Sequence, residues 1–370
     1  MAVYYFTILS LTTLGYYLTE KEAEKRAQKK ASALYLAAAF IILTAIASFR
    51  YAIGFDYFSY RNIYEITSNM TFYDILRGNL FEPLYFIVCK FFSLFGFPFP
   101  YFLIFINIFL VFVWMRFIYQ YSKLPWLSVY LYITLQFFAY NMNLIRQSIA
   151  AAFFLIACPY LKSRKLVPFL ILTVIGGLFH NSLLFVLPLY FLLPQKNSAR
   201  FVSILIVSAA LIYLFFDPLF TLIQPVLPEK YAVYTETYFW NSSTWEYAVP
   251  SLIYALFIFV FRNAVTNPIH RTIYLNSALY HLLISVFITK HFILERFSIY
   301  PFVFSLIAVP EITASYSDTD TGNEAHGIRR HCVLLLFMLS GGAYFLFAAF
   351  KGFHNVYPYI SLFDKASMPS

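Results

Sequence analysis

The feature that limits the fold most is a succession of apolar runs. They fall at about residues 2–18, 32–49, 84–98, 101–119, 126–140, 147–161, 166–179, 182–193, 201–216, 248–261, 272–289, 297–313 and 332–350. A helix of about 20 apolar residues crosses the roughly 30 Å of a bilayer's hydrocarbon core. Lipid offers the backbone no hydrogen-bond partner, so a spanning segment is either a helix or a strand of a closed barrel. Barrel strands alternate apolar and polar residues, and these runs do not. The chain therefore reads as an all-α polytopic integral membrane protein. Several runs are shorter than a full span, so the count is about 11–13 transmembrane helices with some broken or re-entrant.

Composition supports the same class. Of 370 residues, 61% are hydrophobic and only 12% charged, against about 45–50% apolar and about 25% charged in soluble chains. There is too little polar surface for a water-soluble enzyme, a disordered chain or a nucleic-acid-binding domain. The formal net charge of +9 is then a matter of topology, because Lys and Arg concentrate in cytoplasmic loops. Cys89, Cys158 and Cys332 are scattered through apolar runs without metal-ligand spacing and read as structural thiols. The first run lacks a basic leader and a small-residue cleavage site, so we read it as a retained span. No internal repeat or linker divides the chain, and residues 1–370 read as a single transmembrane domain.

Basic residues in 20–30, 162–165, 195–200, 262–271 and the 314–331 loop place these segments in the cytoplasm. Segments 50–82, 141–146, 180–181, 217–247, 290–296 and the C-terminal tail then face outward. Parity fails once, between 50 and 123, if both 84–98 and 101–119 span. The weaker segment is 84–98, which carries Lys90 and ends in FGFPFP, so a re-entrant or broken helix is expected there.

Ionisable groups in or beside spans are expensive and therefore candidates for function. The outer face gathers Arg50, Asp56 and Tyr60 from RYAIGFDYFSY, and Glu82 from FEPLY. Asn143, Arg146 and Gln147 follow in NMNLIRQSIA, then His180 in GGLFHNS, then Glu295 and Arg296 in KHFILERF. An arginine fork stays charged when buried and binds phosphate oxygens bidentately, so Arg50, Arg146 and Arg296 could together hold a pyrophosphate. Plainer readings compete. Arginines flanking spans also serve as interface anchors, Glu295 beside Arg296 could be a local neutralising pair, and His180 a satisfied helix-end histidine. The aromatic stretch 231–247 fits an interfacial belt as well as a platform for sugar rings. No Walker-type loop, His-Glu-x-x-His, outer-face acidic metal pair or G-x-S-x-G is present.

In order, RYAIGFDYFSY (50–60), EPLY (82–85), NLIRQSIA (143–150), FHNS (179–182) and ERF (295–297) resemble the EpsG family, whose members resemble Wzy-type polymerases of O-antigen, capsule and exopolysaccharide. The aromatic NVYPY (355–359) also suits it. The resemblance implies a GT-C-like glycosyltransferase of the bacterial inner membrane, active on the periplasmic face without cofactor or metal. Its substrate would be an undecaprenyl-pyrophosphate-linked oligosaccharide, met within membrane lipid. A chain-length regulator is a candidate partner, and nucleic acid is not. Transfer to a sugar hydroxyl needs a base, for which Asp56 and His180 compete. The diphosphate leaving group needs positive charge, from Arg146 and Arg296, with Arg50 either joining them or orienting Asp56. Tyr60, Glu82, Asn143, Gln147 and Glu295 would be positioning groups. A flippase for the same lipid-linked sugar and a membrane acyltransferase are the rival readings.

Overall fold

In the computed structural model, residues 1–20, 25–77, 82–226, 245–316 and 324–364 are described. The aromatic stretch 231–247 and the 217–247 and 314–331 loops therefore lie partly outside the described residues. The helices, in chain order, are α1 (Ala2–Glu20), α2 (Lys25–Ser48), α3 (Tyr57–Asn69), α4 (Phe72–Arg77), α5 (Pro83–Leu94), α6 (Phe99–Tyr121), α7 (Pro125–Thr134), α8 (Phe137–Asn143), α9 (Ile145–Lys162) and α10 (Leu166–Gly177). They continue as α11 (Ser182–Phe185), α12 (Leu189–Leu192), α13 (Ala199–Leu214), α14 (Phe216–Ile223), α15 (Ala248–Phe261), α16 (Pro268–Ile288), α17 (Glu295–Phe302), α18 (Ser305–Ala314) and α19 (Glu324–Phe350). Among the described residues the only extended pairing is an isolated antiparallel bridge between Arg50 and Ser361.

By length and composition, four helical stretches suffice to cross a membrane: Ala27–Ser48, Phe99–Tyr121, Phe292–Ala314 and Ile328–Phe350. The pair Ala199–Leu214 and Phe216–Ile223, bent by 72°, gives a fifth if it is one broken span. The chain is thus a multi-pass, all-helical membrane protein. Other apolar runs fold in shorter pieces. α5 has 12 residues, or about 18 Å at 1.5 Å per residue, too short to span. The 84–98 run, where a re-entrant or broken helix is expected, is this one short helix, and the bent pair among the described residues lies at 199–223. The 126–140 run breaks between α7 and α8 at Gln136, whose φ is 71°.

Proline and small polar residues start these helices. Pro83, Pro125 and Pro268 sit in first turns, where a missing N–H costs nothing. The side chain of Asn267 caps α16 by accepting from Ile269 N at 2.9 Å and His270 N at 3.2 Å.

The described chain divides into two compact units, Met1–Leu184 with Val309–Ser370, and Phe185–Ala308. In the first, α9 packs on α6 and α10. Its inner face carries Ala150, Ala151, Ala152 and Ala157, all fully buried, and side chains this small let helices approach closely. In the second, α16 packs on α15 and α17. A polar knot of Ser251, Ser285 and His281 lies buried there, with Ser251 Oγ 3.0 Å from His281 Nε2 and 2.8 Å from Ser285 Oγ.

Candidate functional site

The first unit converges on the break between α8 and α9. Leu144 (φ −100°, ψ 66°) interrupts the helix, so Met142, Asn143 and Arg146 are presented at adjoining helix ends. Four other segments reach them.

The loop before α3 is the first. Arg50 is fully buried, and its guanidinium donates to the carbonyls of Ala47 and of Met142, the latter at 2.8 Å. Burial lowers its pKa to about 10, which leaves it cationic at neutral pH. The fork therefore ties the end of α2 to the end of α8. Gly54 follows at φ +97°. A Cβ there would lie 3.2 Å from both Asn143 Cα and Met142 O, so the close approach needs glycine. Asp56 comes next, with its backbone N donating to Asn143 Oδ1 at 3.2 Å. It stands at the N-cap of α3 but its carboxylate makes no cap hydrogen bond. One turn on, the Tyr60 hydroxyl accepts from Arg146 N at 3.4 Å, and the Arg146 guanidinium lies 6.0 Å from the Tyr60 ring centre. Burial raises the Tyr60 pKa, with Arg146 pulling the other way, so the phenol is a protonated donor at neutral pH.

The start of α5 is the second segment. Glu82 has a left-handed backbone (φ 62°, ψ 55°) and is 8% exposed. Its Oε2 lies 2.7 Å from Arg146 Nη1, and its Oε1 accepts from Asn181 N at 3.2 Å. A buried carboxylate needs a partner, and here a cation and an amide supply it. Non-glycine residues in this backbone region are strained by about 1–3 kcal/mol and cluster at functional sites.

The turn after α10 is the third. A Cβ on Gly176 would meet Leu183 Cδ2 at 2.5 Å, so glycine lets the chain fold back tightly. That turn holds His180 with Nδ1 2.7 Å from Ser182 Oγ and Nε2 3.8 Å from Glu82 Oε1. The fourth segment is the chain's return after α19, where His354 Nδ1 lies 3.4 Å from Asn143 Nδ2.

Arg50, Asp56, Tyr60, Glu82, Asn143, Arg146 and His180, named from sequence, are thus brought together. Gln147 is buried one residue along α9. Glu295 and Arg296 open α17 in the second unit. Sequence reasoning did not single out His354, although it directly precedes NVYPY (355–359).

Glu82, Asp56, His180 and His354 combine acid or base capacity with proximity to Arg146 or Asn143 in the first unit. Arg146 is the group suited to an anion. Its side chain is 29% exposed, and among the described residues its Nε has no hydrogen-bond partner. Among the described residues no group of three or more His, Cys, Asp or Glu could hold a metal ion.

The model of the EpsG family matches residues 33–361. No curated protein and no solved structure matches the chain.

Proposed function

The chain belongs to the EpsG family, a family of Wzy-like polymerases, and from that membership and the cluster at the α8–α9 break we propose that it polymerises lipid-linked oligosaccharides. The donor is a growing glycan on undecaprenyl pyrophosphate, and the acceptor is a hydroxyl of the next lipid-linked repeat. Transfer takes place at the periplasmic face of the bacterial inner membrane and yields O-antigen, capsule or exopolysaccharide.

The observation that carries this reading is the Glu82–Arg146 pair with Arg146 still partly exposed. Glu82 fixes the guanidinium through one nitrogen and leaves the rest of the fork for diphosphate oxygens. The leaving group is already good, so added positive charge stabilises the developing anion more than a proton donor would. Arg50, with its fork on backbone carbonyls, acts by orienting the Asp56 loop.

Asp56 is the base that takes the acceptor hydroxyl's proton. The His180 ring is engaged by Ser182 and Glu82, which favours Asp56 over it. The new bond joins the acceptor oxygen to the anomeric carbon as the bond to the diphosphate oxygen breaks. Tyr60, Asn143 and Gln147 position the partners, and a chain-length regulator is a candidate partner of the assembly.

The test is a gel profile of surface glycan from cells lacking the gene, complemented with wild type or with Arg146→Ala. The reading predicts single repeats in the null and a ladder restored by wild type alone. Absence of any exported repeat would point to a flippase instead. A ladder of normal length with altered mass per repeat would point to an acyltransferase.

A further inference from the structure

The segment after α19 is held as firmly as a core element. It returns to the loop before α3 through Tyr51 N→Ile360 O at 2.9 Å, Gly54 N→Asn355 O at 2.9 Å and Leu362 N→Phe49 O at 2.8 Å. Side chains pin it from three helices' ends. Tyr4 donates to Val356 O at 2.9 Å, Tyr357 to Gln136 Oε1 at 3.0 Å, and Tyr359 to Ile46 O at 2.9 Å. Two consecutive non-glycine residues, His354 (φ 60°) and Asn355 (φ 51°), take left-handed backbones. Such strain persists only where the surroundings over-determine it. What this arrangement delivers is the imidazole of His354, edge-on to Tyr140 with ring centres 5.6 Å apart and facing the Asn143 carboxamide.

The hydrogen-bond directions around Asn143 follow from its partners. Its Oδ1 accepts from Asp56 N, which has only a proton to offer. Its Nδ2 must then be the group facing His354 Nδ1, and that nitrogen must be the unprotonated acceptor. Turned over, the carboxamide would set its NH2 against the Asp56 N–H, two donors face to face. We propose that His354 is a positioning residue for the transfer reaction, locking the Asn143 carboxamide in the orientation that holds the Asp56 backbone. The proposal rests on the reading of Asp56 as the base. It assigns the residue just before NVYPY (355–359) a part in the site. Burial agrees with the required protonation state, lowering the His354 pKa to about 4.

The experiment uses the full chain in membranes of its own cells, with their own polyprenyl-diphosphate-linked repeats as substrate. Elongation rate and apparent affinity for the repeat are measured at matched protein abundance. His354→Leu, which removes the acceptor, should slow elongation at saturation about tenfold or more with apparent affinity unchanged. His354→Gln, which restores an acceptor oxygen, should return the rate to within about threefold of wild type. Asn143→Ala with His354→Leu should be no slower than Asn143→Ala alone, because both act through one contact.

If His354→Leu accumulates poorly, His354→Gln is compared with His354→Arg, which offers only donors. Retained rate in the first and loss in the second is expected. Equal rates in Gln and Arg variants, a wild-type rate in His354→Leu, or additive losses in the double variant overturn the proposal. An active Asp56→Asn overturns the base assignment and this proposal with it. An inactive Asp56→Asn beside a fully active His354→Leu overturns this proposal alone.

Discussion

Arg146 Nη1 lies 2.7 Å from Glu82 Oε2, and the carboxylate that holds it sits on a left-handed backbone at the head of α5. The pair joins the α8–α9 break to a helix too short to span. It also turns a strongly charged fork toward a half-open position with its anchor already neutralised.

Arg146→Ala should abolish polymer formation and also destabilise the protein, because Glu82 is left buried without its cation. Removing one partner of a buried pair typically costs about 3–5 kcal/mol; with Arg146 partly exposed, about 2–4 is expected. Adding Glu82→Gln to Arg146→Ala should recover abundance in the membrane without recovering the glycan ladder. Immunoblots beside glycan gels read the two effects separately.

Arg146→Lys keeps the charge but loses the planar fork. Elongation should fall about 10-fold to 100-fold, the size of one lost charge-assisted contact, while thermal stability in detergent stays near wild type. A fully active lysine variant would show that charge alone suffices at this position.

Gly54→Ala should lower stability by about 1–3 kcal/mol, through a positive φ and a methyl group pressed onto the Asn143 backbone. A melting curve of the purified protein measures it. The same change should displace Asp56 and reduce elongation further than the stability loss explains.

Ser182→Ala separates the two candidate bases. It removes the Oγ that fixes His180 at 2.7 Å. With Asp56 as base, elongation should drop no more than about fivefold, a hydrogen bond's worth of positioning at about 1 kcal/mol. Asp56→Asn should abolish it. The reverse pattern would make His180 the base.

Acidification should destabilise the first unit through His354. Its pKa is lowered from 6.5 to about 4, so the unfolded chain takes up a proton at a higher pH than the folded one. The stability associated with the neutral ring is complete above about pH 6.5 and is lost as pH falls toward about 4, by at most about 3 kcal/mol. The contacts described for this ring, Asn143 and Tyr140, carry no charge that would offset the effect. Melting curves at about pH 7 and about pH 5 should differ in wild type, and the difference should shrink in His354→Leu.

Much of the site was legible in the sequence because lipid makes polar residues conspicuous. Glu82, Asn143, Arg146 and His180 stand out against apolar neighbours, and the parity failure singled out the 84–98 segment as irregular. For Arg50 the sequence left two roles open, joining the diphosphate clamp or orienting Asp56. A basic residue flanking a span looks the same whether it meets lipid headgroups, a diphosphate or two carbonyls, and only the tertiary approach of Met142 decides. The break at Gln136 was hidden because no proline or glycine marks it and the 126–140 run continues through it, whereas the break at Leu144 falls in the 141–146 segment between two runs. His354 was invisible for a related reason: its partner Asn143 is remote in sequence, and the return of the chain that joins them is written in backbone hydrogen bonds.

The first unit is discontinuous, with Phe185–Ala308 interposed before its closing segment. A ribosome that has made everything through α11 has already supplied Asp56, Glu82, Arg146 and His180, yet Gly54 N and the Asn143 carboxamide still wait for Asn355 and His354. The order of synthesis thus leaves the Asp56 loop unbraced until the last helix has been inserted. Nascent chains stalled before residue 353 should carry the acidic and basic groups of the cluster in an unlocked state.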